Sequence, residues 1–216
     1  GEGGFIVPAP GFLATLDSWC KANGIVMVAD EVQSGMARTG AWFASSWEEG
    51  FDPDLLTVAK GIAGGMPLSG VVGRAEIMDA AHAGGLGGTF GGSPTAVAAG
   101  VAVMEQYASG NWFARALEIG EILQTRLNEL RMSYPIIGDV RGKGAMQAIE
   151  LVIPETQAPN PDATTELMKH CHQNGVVILN AGTYNNVIRF LPPLAITDEL
   201  LHEALDVLAA GLAKIS

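Results

Sequence analysis

Apolar positions along the chain switch between two periods. From Phe12 to Ala22 they recur at Phe12, Leu13, Leu16, Trp19 and Cys20, the stripe of an amphipathic helix. Asn23-Gly24 ends that helix as a C-terminal cap. Ile25-Val26-Met27-Val28-Ala29 is continuously apolar. It predicts a strand buried on both faces, the kind found in parallel sheets. Asp30-Glu31 lie at its C-terminal end. A short helix is expected from Ala41 to Glu49, then the turn Asp52-Pro53-Asp54, then strands from Leu55 to Ala59 and from Leu68 to Gly73. Such alternation predicts an α/β layered domain.

Ser93-Pro94 reads as a helix start, with Ser as N-cap and Pro at the first helical position. Helix is expected from there to Arg131, broken near Ser109-Gly110. The texture changes after Tyr134-Pro135. Ile136 to Arg141 and Ala145 to Val152 predict strands around a Gly142-Lys143-Gly144 turn, with Arg141 and Lys143 on an exposed hairpin. A loop from Pro154 to Pro161 precedes a helix from Thr164 to Gln173. Strands from Val176 to Leu179 and from Val187 to Leu191 follow, and a helix from Thr197 to Leu212 closes the pattern. These elements predict a second, smaller α+β unit, which divides the chain into residues 1–110 and 111–216.

Composition narrows the function classes. With 48% hydrophobic and 16% charged residues, the chain can bury enough surface to offset its ordering entropy, which excludes disorder. The longest clean apolar run, Ile25 to Ala29, is far short of the ~20 residues of a membrane span. A net charge of −11 argues against nucleic acid, whose phosphates need a basic face. Two cysteines, Cys20 and Cys171, are too few for a disulfide framework and suit a reducing cytosol.

Among the five lysines, Lys60 alone follows a buried strand and precedes a glycine-rich turn. Partial burial would lower its pKa and make it a nucleophile or Schiff-base former. A lysine snorkelling from a strand end into water fits the same pattern. Asp30 ends a buried strand, where α/β folds bind ligands and where a carboxylate can hold a cationic ring nitrogen; a turn or N-cap role is the commoner alternative. Gly84 to Pro94 is the most glycine-dense stretch and opens onto a helix N-terminus, which with the Thr89 hydroxyl suits a phosphate. It fits neither the dinucleotide fingerprint nor the P-loop, so by itself it is equally a connector. Arg189, flanked by apolar residues in a strand, needs a carboxylate partner, either a ligand or a structural Asp or Glu. His170-Cys171-His172 has a metal-site composition, but its histidines do not share a helix face, so it reads as a solvated helix with a buried Cys.

Taken in order, these stretches resemble the class III (fold type I) pyridoxal phosphate (PLP)-dependent aminotransferases, and among them those acting on 4-aminobutyrate. The resemblance covers essentially the whole chain. It is carried by GEGGF at Gly1 to Phe5, GIVMVADEVQSGMARTG at Gly24 to Gly40 and PDLLTVAKGIAGGMPLSGVVGR at Pro53 to Arg74. GGLGGTFGGSPTA at Gly84 to Ala96, GDVRGKGAM at Gly138 to Met146 and NNVIRFLPPL at Asn185 to Leu194 complete it. It implies a fold type I transferase, with residues 1–110 the C-terminal part of a large, mainly parallel-sheet PLP-binding domain and residues 111–216 the small C-terminal domain.

It further implies that Lys60 forms the Schiff base with PLP and that Asp30 holds the pyridinium nitrogen. Val32 then packs on the ring face, Gln33 bonds the phenolic oxygen and Thr89 reaches the phosphate of a neighbouring subunit. Arg189 clamps the α-carboxylate of glutamate or 2-oxoglutarate, and Glu2 pairs with Arg189 when an ω-amino acid is bound. The implied reaction is ping-pong transamination between 4-aminobutyrate, or a close ω-amino acid, and 2-oxoglutarate, giving succinic semialdehyde and glutamate. Acetylornithine or ornithine aminotransferase activity is the alternative within the class. A homodimer or dimer of dimers in the cytoplasm is expected. The family segment Q-G-E-G-G-F opens before Gly1, and the implied N-terminal half of the family lies outside this sequence. This predicts part of a longer subunit, with the chain inactive alone; a non-catalytic fragment that keeps the fold is the other reading.

Overall fold

The computed structural model describes all residues, Gly1–Ser216. They group into two compact units, Pro8–Phe113 and Gly1–Val7 with Ala114–Ser216. A linear reading places one boundary near residue 110. The fold returns the first seven residues to the C-terminal unit, a pairing across the whole sequence that local pattern does not carry.

The unit Pro8–Phe113 contains α1 (Phe12–Ala22), β1 (Val28–Asp30), β2 (Leu55–Val58), β3 (Gly70–Gly73), the short α2 (Ala75–Met78) and α3 (Pro94–Ser109). Its sheet has the order β1-β2-β3, with β1 parallel and β3 antiparallel to β2. The sheet is therefore mixed rather than mainly parallel. β1 is also shorter than its apolar run. The Met27 N–H donates to the Asp54 carboxylate at 2.8 Å, and ladder pairing starts one residue later at Val28. Ile25, Val26 and Val28 are 44–50% exposed, so β1 is not buried on both faces in this chain; alternation puts only Ala29 inside.

The helix expected from Ala41 to Glu49 contracts to a 3₁₀ turn, Ala44–Trp47. Its leading N–H groups are taken by the Glu31 carboxylate, and extended residues flank it on both sides. Ser93 does occupy the N-cap of α3, but its hydroxyl faces the Thr95 hydroxyl at 3.3 Å and bonds no helix N–H.

The other unit holds α4 (Trp112–Ser133, whose first two residues group with Pro8–Phe113), β4 (Ile137–Lys143), β5 (Met146–Leu151), α5 (Pro161–Gln173), β6 (Leu179–Ala181), β7 (Val187–Phe190) and α6 (Asp198–Ile215). Its antiparallel sheet runs β4-β5-β7-β6. Ile119, Leu123 and Leu127 of α4, Leu167 of α5, and Leu205, Leu208 and Leu212 of α6 are fully buried with Ile149, Leu151 and Ile188 of the sheet. Each such side chain contributes about 1.5–3 kcal/mol by leaving water. A Cβ on Gly120 would strike the Gly144 backbone, so a glycine lets α4 meet the β4–β5 turn.

Two expectations change here. The strand from Val176 to Leu179 moves to Leu179–Ala181, because Val176 still bonds the Cys171 carbonyl at the end of α5. Arg141 is not on an exposed surface. Its side chain is only 17% exposed and donates to Asp139 and Glu150 on the same sheet face. No helix is long and apolar enough to cross a membrane.

Candidate active site

In the unit Pro8–Phe113, the parallel register places Asp30 opposite Thr57 at the C-terminal ends of β1 and β2. Asp30 Oδ1 accepts from the Thr57 hydroxyl and from the Val32 N–H, both at 3.1 Å. Both bonds fall on one oxygen, which leaves Oδ2 for an N–H donor. Lys60 begins the 3₁₀ turn Lys60–Ala63, just past the end of β2. Its φ is +49°, a left-handed conformation that costs a non-glycine residue about 1–3 kcal/mol and clusters at ligand sites. Lys60 is exposed in this chain rather than partly buried. The ladder pairing of β2 ends at Val58, and the turn begins at Lys60. A carboxylate and an amine thus share the strand ends where open α/β sheets bind ligands.

Between them the backbone is held by Glu31, whose importance the sequence does not reveal. It is 3% exposed and accepts from Ser34 Oγ at 2.6 Å, the Ala44 N–H at 3.1 Å and the Ser45 N–H at 2.7 Å. These bonds satisfy a buried charge and fix the segment that carries Val32 and Gln33. Both residues are half-buried, and Gln33 Oε1 is shielded from solvent. Thr89 is exposed, four residues before Ser93 in the glycine-rich stretch. Thr57 was missed as well, although its place opposite Asp30 could have been read from the strand register.

The other unit holds a separate pair. Arg189 Nη1 donates to Glu2 Oε1 at 2.6 Å. Arg189 is nearly enclosed at 13% side-chain exposure, whereas Glu2 is 78% exposed. β7 supplies the arginine, paired with Ala148 of β5 and Leu179 of β6. The guanidinium lies 5.8 Å from the centroid of the buried Phe5 ring, a cation–π contact. Gly4 has φ +97°, and a Cβ there would lie 2.8 Å from Val187 and 2.9 Å from Arg141, so only glycine fits between Glu2 and Phe5.

The remaining candidates are occupied elsewhere. His172 Nε2 lies 2.9 Å from the Ile178 carbonyl and His170 Nδ1 3.2 Å from Lys214 Nζ. Cys171 is buried, and burial pushes its thiol up to about 11.

Residues 1–212 match the family model "Aminotransferase class-III". The chain belongs to the class III aminotransferase family. Over 217 residues it is 53% identical to the 4-aminobutyrate aminotransferase of Mycobacterium tuberculosis (strain H37Rv), covering all of this chain and 48% of that protein. The 5-aminovalerate aminotransferase of Pseudomonas putida (strain KT2440) is 44% identical over 216 residues, with 100% and 51% covered. The fold is that of a taurine:2-oxoglutarate aminotransferase from Bifidobacterium kashiwanohense, solved with PLP and glutamate (TM-score 0.90, 32% identity, 100% and 50% covered). A phospholyase from Arthrobacter in complex with phosphoethanolamine is equally similar in fold (TM-score 0.92, 29% identity, 99% and 51% covered). The chain spans about half the length of the curated relatives it matches.

Proposed function

We propose that this chain is part of a PLP-dependent aminotransferase that moves the amino group of 4-aminobutyrate, or a close ω-amino acid, to 2-oxoglutarate. The observation that carries this reading is the Glu2–Arg189 pair, an enclosed cation facing an exposed carboxylate. A ping-pong transaminase must take two substrates of different charge in turn. A cation needed for an α-carboxylate must be masked when a donor without one arrives, and a swinging Glu2 does this. The choice of 4-aminobutyrate rests on the 53% identity to enzymes of that name.

The Asp30 and Lys60 arrangement fits PLP. The free Oδ2 of Asp30 suits a pyridinium N–H, and the exposed Lys60 amine at the strand end suits a carbonyl. When bound, PLP supplies an electron sink for the bonding pair released at the substrate carbon. Asp30 would hold the ring nitrogen in its protonated form. The Lys60 amine would anchor the cofactor and would serve as the base that moves the proton at the substrate carbon. Val32 would pack on the ring, Gln33 would meet the phenolic oxygen, and Thr89 of a neighbouring subunit would bind the phosphate. Residues 1–110 then serve as the C-terminal part of the PLP domain and 111–216 as the small domain, in a cytoplasmic homodimer or dimer of dimers.

Borohydride reduction of the full-length holoprotein, followed by peptide mapping, is expected to find PLP on Lys60. Attachment to another lysine defeats the site assignment. Rates with 4-aminobutyrate, β-alanine, ornithine and acetylornithine decide the donor, and a preference for either of the last two overturns the proposed one.

A further inference from the structure

The Glu2–Arg189 pair rests on a backbone fastened at three points. The Glu2 carbonyl accepts from the Gly182 N–H at 3.0 Å. The Gly4 carbonyl accepts from Arg141 Nε at 2.8 Å. The Phe5 ring is buried with Met146, Ala148, Ala181 and Val187. The segment also closes on itself, since the N–H groups of Gly4 and Phe5 both donate to the Gly1 carbonyl, at 3.0 and 3.2 Å. Its left-handed turn at Gly4 and Phe5 has φ of +97° and +52°. Without its fastenings such a turn relaxes, because a non-glycine residue is strained there.

Arg141 reaches this backbone with a directed side-chain bond, and it is itself held on two sides. Nη1 donates to Asp139 Oδ2 at 2.8 Å and to Glu150 Oε2 at 2.6 Å. Glu150 Oε1 in turn accepts from Asn186 Nδ2 at 3.3 Å, three residues before Arg189. A planar guanidinium can serve these acceptors at once, whereas a lysine ammonium keeps the charge but not the fork.

We propose that Arg141 is a positioning residue of the carboxylate switch. By holding the Gly1–Phe5 backbone still, it confines the switch to rotation of the Glu2 side chain and sets how tightly Arg189 is masked. Arg141 therefore tunes the preference between donors that lack an α-carboxylate and substrates that carry one. The physical basis is effective concentration: a carboxylate tethered to a fixed backbone meets its cation far more often than one on a loose segment. The inference rests on the reading of Glu2 and Arg189 given above, and it adds a residue that touches no substrate.

The test uses the full-length PLP-loaded enzyme with Arg141→Lys, which keeps the cation between Asp139 and Glu150 but loses the Nε–H to Gly4. kcat and KM are measured separately for 4-aminobutyrate and for 2-oxoglutarate. Glutarate, a non-reacting dicarboxylate, is titrated by calorimetry. The expected result is a KM for 4-aminobutyrate raised by about five- to tenfold, the scale for loss of one ordinary hydrogen bond. The KM for 2-oxoglutarate is unchanged or lower, and glutarate binds more tightly. In the Glu2→Gln background the same substitution produces no further change in the ratio of the two KM values. Equal losses with both substrates, or an undiminished ratio change in the Glu2→Gln background, overturn the proposal. If Arg141→Lys does not fold, Arg141→Gln is judged by the same ratio, and failure of both to fold shows a purely structural residue. A wild-type enzyme that does not transaminate 4-aminobutyrate overturns the functional reading itself. A normal wild type with an unmoved ratio overturns only the role of Arg141.

Discussion

At the scale of single residues, chemistry and support are separable. Asp30 owes its aim to Thr57, and the segment after it owes its course to Glu31. Asp30→Asn keeps the shape but removes the charge proposed to balance a pyridinium. In the full-length enzyme kcat is expected to fall by about 10²–10³, the scale for loss of one preorganised electrostatic contact. Thr57→Val is expected to act in the same direction, by about tenfold, because it removes one hydrogen bond to that carboxylate. Steady-state kinetics check both, and equal rates for wild type and Asp30→Asn exclude the role. Cys171 makes a pH prediction. Burial holds its thiol at about 11, against an ordinary value of 9.0, so the folded state keeps a proton that the unfolded state loses first. This stabilisation is full below pH 9 and is lost as pH rises toward 11. Cys171 is therefore expected to resist thiol reagents at pH 8 until denaturant is added, as a thiol-release assay would record.

At the scale of elements, capping separates helices that look alike in sequence. Thr197 accepts from the Leu200 N–H at 3.3 Å at the start of α6, whereas Ser93 at the start of α3 makes no such bond. Thr197→Ala is expected to cost about 1 kcal/mol and Ser93→Ala only a few tenths, as read from denaturant midpoints. In the helical core, Leu167→Ala in α5 is expected to cost about 2–5 kcal/mol, because the side chain is fully buried against α6. α1 was legible to the residue, because its stripe and its cap agree. β1, the Ala44–Trp47 turn and β6 were not. Their limits are set by hydrogen bonds to Asp54, Glu31 and Cys171, which no periodicity encodes.

At the scale of the whole molecule, the full-length protein is expected to elute as a dimer or larger in gel filtration. A PLP-loaded monomer overturns the proposed shared site. The family could be read from the sequence through a resemblance carried by stretches such as Gly24 to Gly40 and Pro53 to Arg74, while Lys60, Asp30 and the glycine-rich stretch stood out as local patterns. The same sequence left Lys60 and Arg189 each with a plain structural alternative. Tertiary structure decided what local pattern cannot. It paired Asp30 with Thr57 through strand register, buried Glu31 against the Ala44–Ser45 backbone, and turned Arg141 inward. It also brought residues 1–7 across the chain, so that Glu2 meets an arginine 187 positions later. Hydrogen bonds between residues so distant depend on how the layers pack, and that packing is a property of the folded chain rather than of any stretch within it.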